Sequence, residues 1–398
     1  MYLPKFSVSG SNRKIEFTNC ELSTEKTEGN IIAVNEKFLA MILKSENEIG
    51  IVDSSKSMNI KKDQPCLKYK SKFLDLKFSP FDNNILASST FDKPVLLWKI
   101  PEEGLSNNNN IENTAYNKHT SKVYFIDFNP ILSDVICTST VNGEIHIWNI
   151  DKKEPFAEFK TASYPTSISW NPIGELIGVT TFNKSINFFD PRNTKKIVEQ
   201  KVSEKSSKFA WIDNTMFTTI SWNNNGNRLL KLWDMKKIDK EISSIIIDNS
   251  THITTPFVNP ILNIIYTVGK EENFIHLYDY SEYKEGLLKS LMKFNTMYFS
   301  NCSVLYGKKG LDKKKLEIER FARYSKTEKK IYYTSFFMKE QFIYDNYFQN
   351  SKNEENKVNH GGWIQEDKNI RKESNNNGIE KKIKTEEGKL NKQMKKKK

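Results

Sequence analysis

Short runs in which apolar and polar positions alternate recur along most of the chain, each ended by a turn. Val123–Phe128 is followed by Asn129-Pro130 and then by a second run, Val135–Thr140; Phe73–Phe78 leads through Ser79-Pro80 into Ile85–Thr90; and Thr166 to Pro172 opens in the same way. A period of two, punctuated by Asn142-Gly143 or Asp92-Lys93, predicts antiparallel hairpins and an all-β chain.

The runs repeat as a set. A common ending appears at Val95 to Lys99, Ile145 to Asn149, Ile186 to Asp190, Leu230 to Asp234 and Ile275 to Asp279. Its aromatic residue (Trp98, Trp148, Phe189, Trp233, Tyr278) recurs after 50, 41, 44 and 45 residues. That spacing is close to the roughly 40–45 residues of a WD40 repeat, which folds as one four-stranded propeller blade. A first repeat from Ile31 to Asp53 precedes these five, and a last hairpin is expected over Met297–Tyr306 and Leu316–Tyr324. The sum predicts a seven-bladed WD40 β-propeller. The strand Lys5–Ser9 is expected to close the ring against Glu317–Tyr324, because an open ring would leave unpaired sheet edges. The expected organisation is a propeller over 1–345, a C-terminal extension packing on it over 346–370, and a disordered Lys-rich tail over 371–398.

The repeat beginning near Lys118 is the most complete. His119, Thr140, Asn142 and Trp148 stand at the spacing of the WD40 hydrogen-bond tetrad, with Asn in place of the usual Asp. A buried indole N–H and a buried imidazole need partners, so these four are expected to be structural rather than catalytic. The preceding repeat keeps Thr90, Asp92 and Trp98, with Tyr69 at the His position. Five scattered His, with no P-loop, H-E-x-x-H or G-x-S-x-G, give no support for an enzyme or a cofactor.

Composition adds limits. Hydrophobic residues make up 37% of the 398, below the roughly 45–50% of ordinary globular domains, so part of the chain is expected to be unfolded. Mean hydropathy is −0.63, with no run of roughly 18 apolar residues for a membrane span and no apolar stretch in Met1–Gly10 for a signal peptide; a cytosolic protein is expected. Cys20, Cys66, Cys137 and Cys302 lie far apart, which argues against disulfides or a thiolate metal site, and no metal is expected. The charge is +12, and residues 351–398 supply half of it with 14 Lys and Arg against 8 Asp and Glu. Only six of 61 basic residues are Arg, the residue suited to bidentate reading of phosphate and guanine, so nucleic acid is not the expected partner.

In detail the sequence resembles the coronin family of actin-binding propellers. The phrases that carry the resemblance are Ala33 to Phe38, Trp98 to Leu105 (Trp-Lys-Ile-Pro-Glu-Glu-Gly-Leu), Asp190-Pro191-Arg192, Phe217 to Thr219, Leu232 to Asp234, Pro256-Phe257, Gly307 to Asp312 leading into Glu317 to Phe321, and Gly362 to Lys368. The resemblance implies a non-catalytic partner of F-actin at the cytoplasmic cytoskeleton and cell cortex, regulating filament organisation and motility. The other reading is a WD40 scaffold for a different cytosolic complex. Family members carry a filament-contacting Arg in the N-terminal loop, where Lys26 is the nearest basic residue. An acidic filament suits a lysine-bearing face, so Lys26, Lys61, Lys62, Lys68, Lys70 and Lys72 are the candidate contacts. Coronins typically end in a coiled coil, but residues 371–398 offer only Ile379, Ile383, Leu390 and Met394, too few for a/d heptads; a monomer is expected.

Overall fold

Six successive groups of four antiparallel strands run from Ile32 to Ser300. In each group, chain order is also the order from the innermost to the outermost strand. The structure is a computed structural model that describes residues 8–24, 28–61, 63–106, 111–193, 195–202 and 207–339. Blade 1 holds Ile32–Val34, Phe38–Ile42, Glu48–Asp53 and Cys66–Lys68; blade 2 holds Phe73–Phe78, Ile85–Thr90, Val95–Lys99 and Asn113–Tyr116. Blade 3 has Val123–Phe128, Val135–Thr140, Glu144–Asn149 and Glu154–Lys160. Blade 4 has Pro165–Trp170, Ile177–Thr181, Ser185–Asp190 and Lys195–Lys201. Blade 5 has Lys208–Trp211, Met216–Trp222, Arg228–Asp234 and Ser243–Asp248, and blade 6 has Thr254–Asn259, Ile264–Gly269, Glu272–Asp279 and Lys289–Ser300.

The seventh blade joins the two ends of the described chain. Cys302–Leu305, Glu317–Ser325 and Lys330–Met338 are completed by the N-terminal strand Val8–Thr18, with the short strand Met58–Asn59 alongside it. Closure by an N-terminal strand was expected, but the partner differs. Val8–Thr18 pairs with Lys330–Met338, from Val8 opposite Met338 to Phe17 opposite Ile331, and not with Glu317–Tyr324. Lys330–Met338 had not been read as a strand, although its buried run supplies the third strand of this blade. Met297–Ser300, expected to open the last blade, instead ends the outer strand of blade 6. Lys5 and Phe6 lie outside the described residues, as do 346–370 and 371–398.

The core is a ring of interfaces between neighbouring blades. Ala87, Val95, Tyr116 and Leu97 of blade 2 pack on Val123, Ile136 and Trp148 of blade 3, and equivalent clusters join blades 1 to 2, 4 to 5, 5 to 6, 6 to 7 and 7 to 1. Sheets covered on both faces explain why second strands such as Met216–Trp222 are buried at every position, whereas the outer strand Lys289–Ser300 alternates. The Asp that follows three of the aromatic endings has a local task. Asp190, Asp234 and Asp279 each accept a hydrogen bond through Oδ1 from the backbone N–H two residues on, closing an Asx turn.

Blade 7 also buries a carboxyl. Glu319 accepts from Asn259 Nδ2 at 3.3 Å, and burial pushes its pKa up to about 7, against the pull of Lys308 and of that hydrogen bond. An acid whose folded pKa exceeds its unfolded value of about 4.3 makes the folded state bind the extra proton, so its contribution to stability is lost as pH rises from about 4 to about 7. Glu319→Gln removes this term. In urea unfolding the variant gains stability relative to the parent between about pH 5 and about pH 8, and a difference independent of pH would show that Glu319 titrates normally.

Candidate functional site

A propeller presents two loop faces. The connections entering each innermost strand and those joining second to third strands form one face, here the upper; the remaining connections form the lower. Lys68, Lys70 and Lys72 lie at the upper end of blade 1 and in the connection into blade 2. Lys61 is elsewhere. It lines a cleft of about 790 Å³ on the lower face at blade 1 with Glu36, Lys37, Asp53 and Glu102, so its positive charge sits among acids. Lys26 and Lys62 lie outside the described residues. The structure thus does not gather the four described lysines into one patch. Lys68 pairs with Glu48 at 2.7 Å and Lys72 with Glu46 at 2.6 Å, while Lys70 lies 6.0 Å from the Tyr69 ring centroid.

Other residues of the upper face went unread in the sequence. Lys44, Lys93 and Lys118 are exposed on the connections of blades 1 to 3, and Lys122 Nζ lies 3.8 Å from the ring centroid of the exposed Phe91. Beyond them Tyr164 stacks on Phe182, which is 54% exposed at the second-to-third connection of blade 4. These side chains sit in turns, where no periodicity marks them.

The tetrad of blade 3 is present in altered form. Trp148 Nε1 donates to Thr138 Oγ1 at 2.8 Å, and His119 Nε2 is 2.8 Å from the same oxygen. The hydroxyl is therefore that of Thr138 and not of Thr140. Trp148 lies directly across from Ile136, so the residue two further along the strand shares its face and sits diagonally opposite. The same offset gives Trp98 to Ser88 at 2.8 Å and Trp233 to Thr219 at 2.9 Å. Thr140 instead closes the hairpin, bonding Asn142 Oδ1 and receiving Glu144 N at 3.0 Å. Asn142 turns its Nδ2 to Thr120 and Glu144, not to His119.

This leaves a cluster that sequence reading missed. His119 and His146 are 4% and 5% exposed, their rings stack with centroids 4.2 Å apart, and neither Nδ1 has a hydrogen-bond partner. One ligand atom each from His119, Glu144 and His146 lies within 4.8 Å of the others. Burial pushes His119 down to about 3 and also lowers His146, with the neighbouring imidazole adding to the shift at His119. Both rings are neutral at pH 7. The legible signal was Glu144-Ile145-His146, two donors on one strand face.

The five arginines among the described residues serve the fold. Arg13 and Arg320 both bond Glu317, Arg192 bonds Asp190, and Arg323 reaches the carbonyl of Glu272. Arg228, 1% exposed, joins blades 5 and 6 through Asp248 at 2.6 Å and Glu272 at 2.8 Å.

The described residues thus make a seven-bladed WD40-type propeller. Comparison with known proteins narrows the class. Residues 7–59, which take in the closing strand and the first three strands of blade 1, match the family model described as "Domain of unknown function (DUF1899)". Coronin-2A of Bos taurus is 26% identical over 268 residues, 64% of this chain and 50% of that protein, and Coronin-2A of Homo sapiens matches to the same extent. The WD40 domain of Toxoplasma gondii coronin superposes with a TM-score of 0.77 at 24% identity, covering 85% of this chain and 88% of that one. A chain of a mitotic checkpoint complex shares the fold alone, with a TM-score of 0.61 at 11% identity over 80% of this chain and 93% of that one. In sequence and in fold the chain is thus similar to coronins. It spans about half the length of the curated relatives it matches. Among the described residues no helix is long and apolar enough to cross a membrane.

Proposed function

We propose that the chain is a non-catalytic, cytoplasmic, F-actin-binding propeller that helps organise filaments, and that it contacts them through the upper face of blades 1 to 3. Similarity to coronins, in sequence and over the whole propeller, is the observation that carries the reading. The face is chosen because it sets exposed Lys44, Lys70, Lys72 and Lys93 beside Phe91 and Tyr69, a cationic and aromatic mixture suited to an acidic protein surface. The lysines singled out from the sequence are divided by their positions. Lys68, Lys70 and Lys72 belong to this face, and Lys61 does not.

Co-sedimentation with filaments tests both statements. Exposed charges are screened beyond about 8 Å at physiological ionic strength, so binding weakens with added salt. The double variant Lys70→Glu, Lys93→Glu weakens binding by about tenfold or more, on the order of 1.4 kcal/mol, with an unchanged melting midpoint. Lys61→Glu, at the acidic cleft of the lower face, leaves binding unchanged. A reversed order would move the contact to the lower face, and no pelleting of the parent with actin would overturn the actin reading.

A further inference from the structure

We propose that His119, Glu144 and His146 form a two-histidine, one-carboxylate site for a divalent transition-metal ion, zinc first, at the upper edge of blade 3. The donor set is of the kind that holds zinc with an open fourth position. The site is independent of the actin reading and uses none of its lysines.

The hydrogen bonds around Thr138 settle which atoms are available. Thr138 Oγ1 has one proton. It accepts from Trp148 Nε1–H and lies 3.4 Å from the carbonyl of His146. If it gave that proton to His119 Nε2, His119 would bury an unsatisfied Nδ1–H, a costly arrangement. If it gives the proton to the His146 carbonyl, His119 Nε2–H donates to Oγ1 and every proton is placed. The bare Nδ1 lone pair of His119 is then left without a partner. A ring whose far N–H is held by an oxygen is how proteins orient a metal-binding imidazole. Here Thr138 plays that part and is itself fixed by Trp148.

Glu144 brings the charge. Thr120 N donates to its carboxylate at 3.2 Å and Asn142 Nδ2 at 3.1 Å, which hold it beside the two rings at the exposed end of the site. Glu158 adds negative charge near His146, offset by Lys118, its own partner at 3.1 Å. Ligands around a tetrahedral zinc ion at about 2.0–2.1 Å stand about 3.3 Å apart, so the donors close in from their present separation. The rings now stack at an interplanar angle of 13°, and two parallel rings do not aim lone pairs at one ion. Coordination therefore turns His146 about its Cβ–Cγ bond while His119 stays pinned. The stack opens beneath Trp148, whose indole lies 5.4 Å from the His119 ring and 5.6 Å from that of His146.

The test uses the full chain, freed of metal by a chelator and titrated with zinc chloride by calorimetry and with cobalt chloride by absorption and tryptophan fluorescence. One zinc ion binds per chain, cobalt gives visible d–d bands and quenches Trp148, and zinc raises the melting midpoint. Glu144→Gln and His146→Gln lower the affinity at least about tenfold, as loss of a ligand should, whereas His252→Ala, at an exposed histidine, does not. If Glu144→Gln binds zinc as tightly as the parent, or if the parent shows neither d–d bands nor quenching with cobalt, the site does not exist. The cobalt spectra need no variant, so a fold defect in His146→Gln does not protect the proposal.

Discussion

Replacing Arg228 by alanine costs the propeller about 3–5 kcal/mol, because it removes one partner of a buried ion pair and leaves the other charges uncompensated. The guanidinium is 1% exposed and bonds Asp248 Oδ2 at 2.6 Å, Glu272 Oε1 at 2.8 Å, the carbonyl of His252 at 2.9 Å and Thr254 Oγ1. Arg228 and Asp248 belong to blade 5, Thr254 and Glu272 to blade 6, so the side chain ties two blades that share no sheet. Without it, two carboxylates are left at one interface. Arg228→Lys recovers only part of the loss, because an ammonium cannot serve several acceptors in the geometry of a planar fork. Denaturant unfolding measures this, and an Arg228→Ala cost below about 1 kcal/mol would mean that water and side-chain rearrangement replace the clasp.

Trp148→Ala is expected to cost a similar amount, about 3–5 kcal/mol, by a different mechanism. The indole is fully buried, packs edge-on against Tyr116 of blade 2 and donates to Thr138. Truncation opens a cavity between blades 2 and 3 and takes a donor from the hydroxyl that holds His119. Trp148→Phe separates the two effects, since it keeps most of the volume and loses the hydrogen bond, worth about 1 kcal/mol. Against a usual total of about 5–15 kcal/mol, the alanine variant retains a small margin. A melting midpoint unchanged from the parent would contradict the burial of Trp148.

Much of this architecture was legible before any coordinates. The hairpins at Phe73–Phe78 with Ile85–Thr90 and at Val123–Phe128 with Val135–Thr140 have the bounds that alternation predicts. The aromatic endings fall on the third strand of each blade from the second to the sixth, and the count of seven holds. Errors cluster in the last blade, which has no Trp ending to mark its strands and takes its fourth strand from the opposite end of the sequence. The candidate site was read less well. The tetrad was read with Thr140 where the structure has Thr138, because spacing along one strand does not reveal which hydroxyl lies diagonally across from Trp148 on the next.

The sequence by itself determined the repeat, the strands, the closing role of the N-terminal segment and the coronin resemblance, because these depend on the order of side chains over a few to about 45 positions. Only the tertiary structure decided the Arg228 clasp, the stacking of His119 on His146, the partner of Trp148, and the separation of Lys61 from Lys68, Lys70 and Lys72. Each of these depends on strand register, on which blade stands beside which, or on the course of a connection. Those relations arise when residues distant in the chain are packed together, and side-chain order carries no direct mark of them.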